Sequence, residues 1–260
     1  MRSAVREDSI QKRHSRRQQK RRRAQLIRRT VSLGLLGIIL LCIIVFFTPL
    51  LNIRSVTISG NSKIETAQIE QKLGVLTGEN LLLTRTGKIE EDILTLAYVD
   101  KVSAKRGLFP PSITIEITER EPLAYIVHNN SFVTIDISGR ILEVSDRKAE
   151  LPELAGLNLT AATDGTVISL DDNGKLKTVL TVLEQFRKSG LMSGVTVINF
   201  EDIDNITFNY QNRLDGICGP YVDFSRKLSL FREAITSNRL TENSRGTIDL
   251  TKKGHAVYRP

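Results

Sequence analysis

Histidine is the residue type best suited to proton transfer and metal binding near neutral pH. Beyond residue 30 this chain holds two, His128 and His255. Neither has a cysteine or a second histidine at metal-ligand spacing. Ser193 stands in Gly190-Leu-Met-Ser-Gly194, one place off the strained G-x-S-x-G turn that presents a nucleophilic serine. Asp171-Asp172-Asn173 has the oxygens for calcium or a sugar nucleotide, but it opens a helical pattern, where Asp and Asn cap free N–H groups. Capping is the reading we adopt. Glu119-Arg120-Glu121 could be read as an acid pair, but adjacent residues on a strand point to opposite faces, so adjacent members of this triplet are poorly placed for shared work. No glycine-rich phosphate loop is present. The sequence thus supplies no catalytic, cofactor-binding or metal-ligating residue, no cofactor is expected, and the chain is not expected to be an enzyme.

The elements that hold these residues begin with a strongly polarised N-terminus. Residues 1–30 hold twelve Lys/Arg against Glu7 and Asp8, so the remaining residues of this +8 chain sum to −2. The basic tail has no aromatic side chain on which bases could stack, so no nucleic-acid partner is expected. Thr30 to Ile53 carry no charge. Residues 31–51, as a helix, would reach about 31 Å, enough for a hydrocarbon core of about 30 Å. The run is longer than a secretory signal and ends in Phe46-Phe47-Thr48-Pro49-Leu50-Leu51, without a small-x-small cleavage site. Positive flanks stay in the cytoplasm. The expectation is a single-pass type II protein of the cell membrane. Its basic cytoplasmic tail (1–30) touches anionic lipid, one transmembrane helix spans 31–51, and 52–260 is extracytoplasmic. Cys42 and Cys218 are too far apart in this topology for a disulfide.

Residues 52–121 read as β-α-α-β-β. Ile53, Val56 and Ile58 begin a strand that stops at Gly60-Asn61. Ser62 and Glu65 have capping-box spacing, which predicts a helix start there. Leu81-Leu82-Leu83 is expected to dock, and Ile89, Ile93 and Leu96 share one face of a second helix. Val99–Arg106 and the alternating run Ile113, Ile115, Ile117 make a hairpin across Gly107–Pro111. Residues 122–260 read as a larger mixed β domain with two helices, at about 172–188 and 223–237. Predicted strands there include 124–128, 132–137, 141–144, 195–200, 206–210, 217–222 and 247–251, and Leu151-Pro-Glu-Leu154 is predicted as a loop.

Several stretches then fall in a familiar order. They are Val56-Thr-Ile-Ser-Gly-Asn61, Thr77-Gly-Glu-Asn-Leu-Leu82, Tyr98-Val-Asp-Lys-Val102, Arg106-Gly-Leu-Phe-Pro110, Glu119-Arg-Glu-Pro122, Gly139-Arg-Ile-Leu142 and Ile248-Asp-Leu250. With the single N-terminal span, the chain resembles the bacterial cell-division family FtsQ/DivIB. Two positions depart from the pattern, Ala97 and Thr251, where that family often has Pro and Arg. The resemblance implies a POTRA domain over 52–121. It also implies a non-catalytic divisome scaffold at the division septum, joining FtsL-like and FtsB/DivIC-like partners and helping regulate septal peptidoglycan synthases. Two alternatives are a membrane-anchored cell-wall or polysaccharide enzyme and a POTRA-type envelope assembly factor. For partner binding, the strand near the chain's end is expected to form an open sheet edge, with Thr247, Ile248, Asp249, Leu250, Thr251, Lys252, Lys253 and Tyr258 as docking residues.

Overall fold

The structure, a computed structural model, describes residues 28–40, 49–237, 240–241, 243–252 and 254–260. The predicted span 31–51 therefore lies partly outside the described residues, as do most of the basic tail, Cys42 and Lys253. Residues 28–40 form a helix, α1, whose apolar side chains, Val31 to Leu40, are exposed. Among the described residues no helix is long and apolar enough to cross a membrane.

The chain divides into two compact units: Met1–Thr57 with Val75–Thr86 and Lys105–Thr114, and Ile58–Gly74 with Gly87–Ala104 and Ile115–Pro260. Through residue 119 the element order is β1 (Ser55–Ser59), α2 (Thr66–Leu73), α3 (Thr86–Leu94), β2 (Val99–Leu108) and β3 (Pro111–Glu119), with strand order β1-β3-β2. This is the β-α-α-β-β succession read from the sequence. Strict alternation in β3 buries Ile113, Ile115 and Ile117, as a strand wet on one face requires. Three local expectations fail, the first because α3 ends at Leu94 and leaves Leu96 outside it. Helix α2 starts at Thr66 rather than Ser62, its cap residue Glu65 makes no side-chain cap bond, and so the capping box does not form. Of the three leucines expected to dock, Leu81 is buried but Leu82 and Leu83 are exposed. Gly60 closes β1 with φ +86°, and a Cβ there would stand 2.0 Å from the Ile117 carbonyl oxygen. Only glycine fits that approach.

The remaining elements are β4 (Ala124–His128), β5 (Ser131–Ile135), β6 (Ile141–Ser145), β7 (Glu153–Ala155), β8 (Leu159–Ala161), β9 (Ser169–Leu170), α4 (Asn173–Ser189), β10 (Val195–Asn199), β11 (Ile206–Tyr210), β12 (Leu214–Gly219), α5 (Phe224–Thr236), β13 (Gly246–Asp249) and β14 (Val257–Arg259). Nine strands form one sheet in the order β14-β13-β12-β11-β10-β7-β4-β5-β6, and β8 and β9 pair separately. Asn129 and Asn130, both with positive φ, make the two-residue turn between β4 and β5. Helix α4 opens on the Asp172 carboxylate, which accepts from the Gly174 N–H at 2.9 Å, and closes on Gly190 in the left-handed conformation. Asp172 therefore caps a helix, and no group of metal-binding side chains occurs among the described residues.

The predicted loop at Leu151–Leu154 instead yields β7, a central strand parallel to β10. Three residues behind a proline are too few to show a period, and only their neighbours make them a strand. Phe186 of α4 meets both Phe208 of β11 and Phe224 of α5 edge-on, and Phe231 of α5 meets Phe208, with centroids 4.7–5.6 Å apart. Each buried ring contributes roughly 1.5–3 kcal/mol from area alone.

Candidate functional site

Two clusters among the described residues are candidates for a functional surface. The first is the end of the large sheet. Gly246 opens β13 with φ +143°, and a Cβ there would lie 2.2 Å from the Arg259 carbonyl oxygen. Its missing side chain lets two strands close on each other. Strand β13 runs parallel to β12 in register Leu214↔Gly246 to Ile217↔Asp249, and antiparallel to β14 in register Thr247↔Arg259 to Asp249↔Val257. It is paired on both sides.

This corrects the expected docking strand. Thr247, Ile248 and Asp249 lie inside the sheet, Ile248 and Leu250 are buried, and the Leu250 N–H is spent on the Ile217 carbonyl. The Thr251 N–H and hydroxyl both donate to Asp249 Oδ1, at 3.0 and 2.6 Å, so Thr251 offers no edge donor. The chain reverses after Lys252 and returns as β14, and that strand is the edge. The physical reason is simple: two short strands separated by a turn satisfy their own backbone groups before any partner does. Lys252 and Tyr258 remain exposed beside the edge.

Asp249 organises this corner. The Thr251 hydroxyl and N–H, with the Arg259 guanidinium 3.4 Å away, hold its carboxyl below the usual carboxylate range. The Tyr258 hydroxyl donates to the Arg245 carbonyl at 2.6 Å, fixing its ring at the edge. A cleft of about 660 Å³ lies alongside, lined by Leu230, Ala234 and Leu240 together with His255, Ala256 and Tyr258. Glu233 and Ser237 line the same cleft, so it mixes polar and apolar walls beside an open strand, a setting that suits an extended segment pairing by backbone.

A second cluster went unread in the sequence. Arg120 lies part-buried, with Nη1 2.9 Å from Asp136 Oδ2, Nη2 3.3 Å from Asp100 Oδ1 and Nε donating to the Val99 carbonyl. Asp136 Oδ1 accepts from the Ser138 N–H and hydroxyl and from the Arg140 N–H. Burial pushes the Asp136 carboxyl up, but these donors and Arg120 outweigh it and hold it low. Glu119, pointing the other way, takes the N–H groups of Ser62, Lys63 and Ile64 at 2.8–3.0 Å. As neighbours in an extended chain, Glu119 and Arg120 face opposite ways. Asp-x-Ser-Gly-Arg over 136–140 is a turn signature that would have found the Asp136 hub, but nothing local names Arg120 as its partner. Both groups are positioning devices, satisfied within the fold. Ser193 sits exposed in a short turn, His128 Nε2 is 3.0 Å from its neighbour Asn129, and the buried Cys218 thiol is pushed up to about 12 by burial.

Comparison with known proteins agrees with this anatomy. Residues 51–120 match the model of the POTRA domain, FtsQ-type. A cell division protein DivIB of Clostridium acetobutylicum is 27% identical over 221 residues, covering 81% of this chain and 83% of the relative. One of Clostridium botulinum (strain Hall) is 26% identical and covers 92% and 93%. A cell division protein FtsQ of Corynebacterium glutamicum is 27% identical over 117 residues, covering 45% and 52%.

Proposed function

This chain belongs to the FtsQ/DivIB family of bacterial cell division proteins, and from that premise we propose that it is a non-enzymatic scaffold of the division septum, held in the cell membrane by residues 31–51. Its partners are FtsL-like and FtsB/DivIC-like division proteins, and through them it regulates septal peptidoglycan synthesis. The observation that supports a docking role is that β14 ends the nine-stranded sheet next to a cleft of mixed polar and apolar lining. A partner strand would add to Val257–Arg259, its backbone giving affinity and the Tyr258 and Lys252 surroundings giving selectivity.

The test is binding of the full-length protein, in detergent, to an immobilised FtsB/DivIC-like partner. Deleting 257–260 is expected to abolish capture, and Tyr258→Ala to weaken it through faster dissociation. Unchanged binding by both moves the docking edge elsewhere, with the β1-β3-β2 sheet next in line. Depletion in the native cell should produce filaments with failed septa. Turnover of purified peptidoglycan by the protein would replace the scaffold reading with the enzymatic one. An enzyme fused at residue 260 should be active outside the membrane, and one fused before Arg21 inside.

A further inference from the structure

The unit that follows the apolar segment has an unusual surface. Its described parts, residues 49–57, 75–86 and 105–114, carry Arg54, Arg85, Lys105 and Arg106 against Glu79 as the one acid. The rest of the chain beyond residue 30 is net acidic. All four cations are exposed. In the same unit Leu82, Leu83 and Leu108 are 43%, 63% and 52% exposed, and Phe109, at the tip of the β2–β3 hairpin, is 93% exposed. Large apolar groups left in water at this level mark a surface that meets something.

The backbone fixes where these groups stand. Leu51 ends the apolar run and residues 52–54 follow it. The Leu81 N–H donates to the Leu51 carbonyl at 2.9 Å, and the Ile53 N–H to the Glu79 carbonyl at 2.8 Å. On the other side the Arg54 N–H donates to the Pro111 carbonyl at 2.8 Å. The Leu82-Leu83 turn, pinned by Asn80 Oδ1 accepting from the Leu82 N–H, thus begins one residue from the anchor's exit. The Leu108-Phe109 tip ends two residues before Pro111 on the opposite flank. The Arg106 guanidinium donates to the Thr84 carbonyl at 2.7 Å and ties the two protrusions together.

We propose that this end of the unit docks on the bilayer surface itself: Leu82, Leu83, Leu108 and Phe109 enter the boundary between headgroups and acyl chains, while Arg54, Arg85, Lys105 and Arg106 meet anionic headgroups. The inference rests on residues 31–51 being the membrane anchor. Given that anchor, the bilayer is the one occupant that must be present beside the Leu82-Leu83 turn and three residues before Arg54, whose partner Pro111 stands two residues after Phe109. Apolar side chains sinking roughly 5–10 Å, framed by cations, are how proteins lie on an anionic membrane. The consequence is a fixed posture for the unit at its anchor.

The chain contains no tryptophan, so one introduced ring reports its own surroundings. Full-length Phe109→Trp, Ile39→Trp and Tyr221→Trp proteins are reconstituted in phosphatidylcholine vesicles with and without phosphatidylglycerol, and quenched by lipids brominated on the acyl chain. Ile39→Trp reports the anchor, and Tyr221→Trp is an exposed control in the other unit. Docking requires blue-shifted emission and strong quenching at position 109, absent at 221. Arg54→Glu with Arg85→Glu should reduce it in phosphatidylglycerol vesicles. Quenching at 39 with none at 109 overturns docking and leaves the anchor standing. If position 109 is then shielded from aqueous iodide, a protein covers the tip instead. No quenching at 39 overturns anchor and docking together.

Discussion

Glu119 shows how one carboxylate can replace a helix cap. Its two oxygens collect three successive N–H groups from the segment leading into α2, a role the sequence assigned to Ser62 and Glu65. Desolvation pushes its carboxyl up, but the Ile64, Lys63 and Ser62 N–H groups outweigh this and hold it low. A folded value below the unfolded one adds stability above the unfolded carboxylate range, about pH 4.3, and loses it as pH falls through the folded value. Glu119→Gln should therefore cost about 2 kcal/mol at pH 7 and less at pH 3, read from urea melts at both. An equal deficit at both would assign the effect to shape rather than charge. The capping box failed as a prediction because its donors found a stronger acceptor 55 to 57 residues away. A local pattern cannot see that far. By contrast, Asp172 and Gly190 were legible as helix ends because their chemistry is complete within four residues.

At the scale of elements, β3 was read most easily. Period-two alternation over Ile113, Ile115 and Ile117 needs only one buried face, and all three side chains are buried. Ile115→Asp puts a charge with no partner there and should unfold the unit carrying it, seen as loss of the cooperative melt, whereas Ile115→Val should cost about 1 kcal/mol. A native-like melt for the aspartate variant would mean that the strand faces the other way. The helices α4 and α5 were equally legible, since Val179, Leu183 and Phe186 in one and Phe224, Leu228 and Phe231 in the other recur at helical spacing and fill the core. Strand β7 was not, because its identity comes from β10 and β4. The edge was misassigned for a related reason. Composition names a strand but not its place in the order, and β13 and β14 exchange interior for edge through one turn.

For the molecule as a whole, that order separates stability from recognition. Removing 257–260 strips one face of β13 but leaves Ile248 packed in the core, so melting should fall by only about 1–2 kcal/mol. Truncation after Gly246 removes Ile248 and Leu250 from the core and should cost at least about 4 kcal/mol. Guanidinium melts of the two truncated proteins check the difference, and similar losses would mean that β14 is structural rather than a free edge. The sheet also has a seam. Strands β4, β5 and β6 form one antiparallel block, and β10, β11 and β12 another. Between them stands β7 alone, three residues long, paired in parallel to both. Tyr125 bonds across it twice, its N–H to the Pro152 carbonyl and its hydroxyl to Glu153. In mechanical language, β7 is the weakest link in the sheet's load path. Tension applied between residue 122 and a partner held at β14 would cross the sheet through these few bonds. Single-molecule pulling should show the two blocks parting there first, at lower force for Leu154→Pro. Strain on the sheet would then be felt first at one narrow strand.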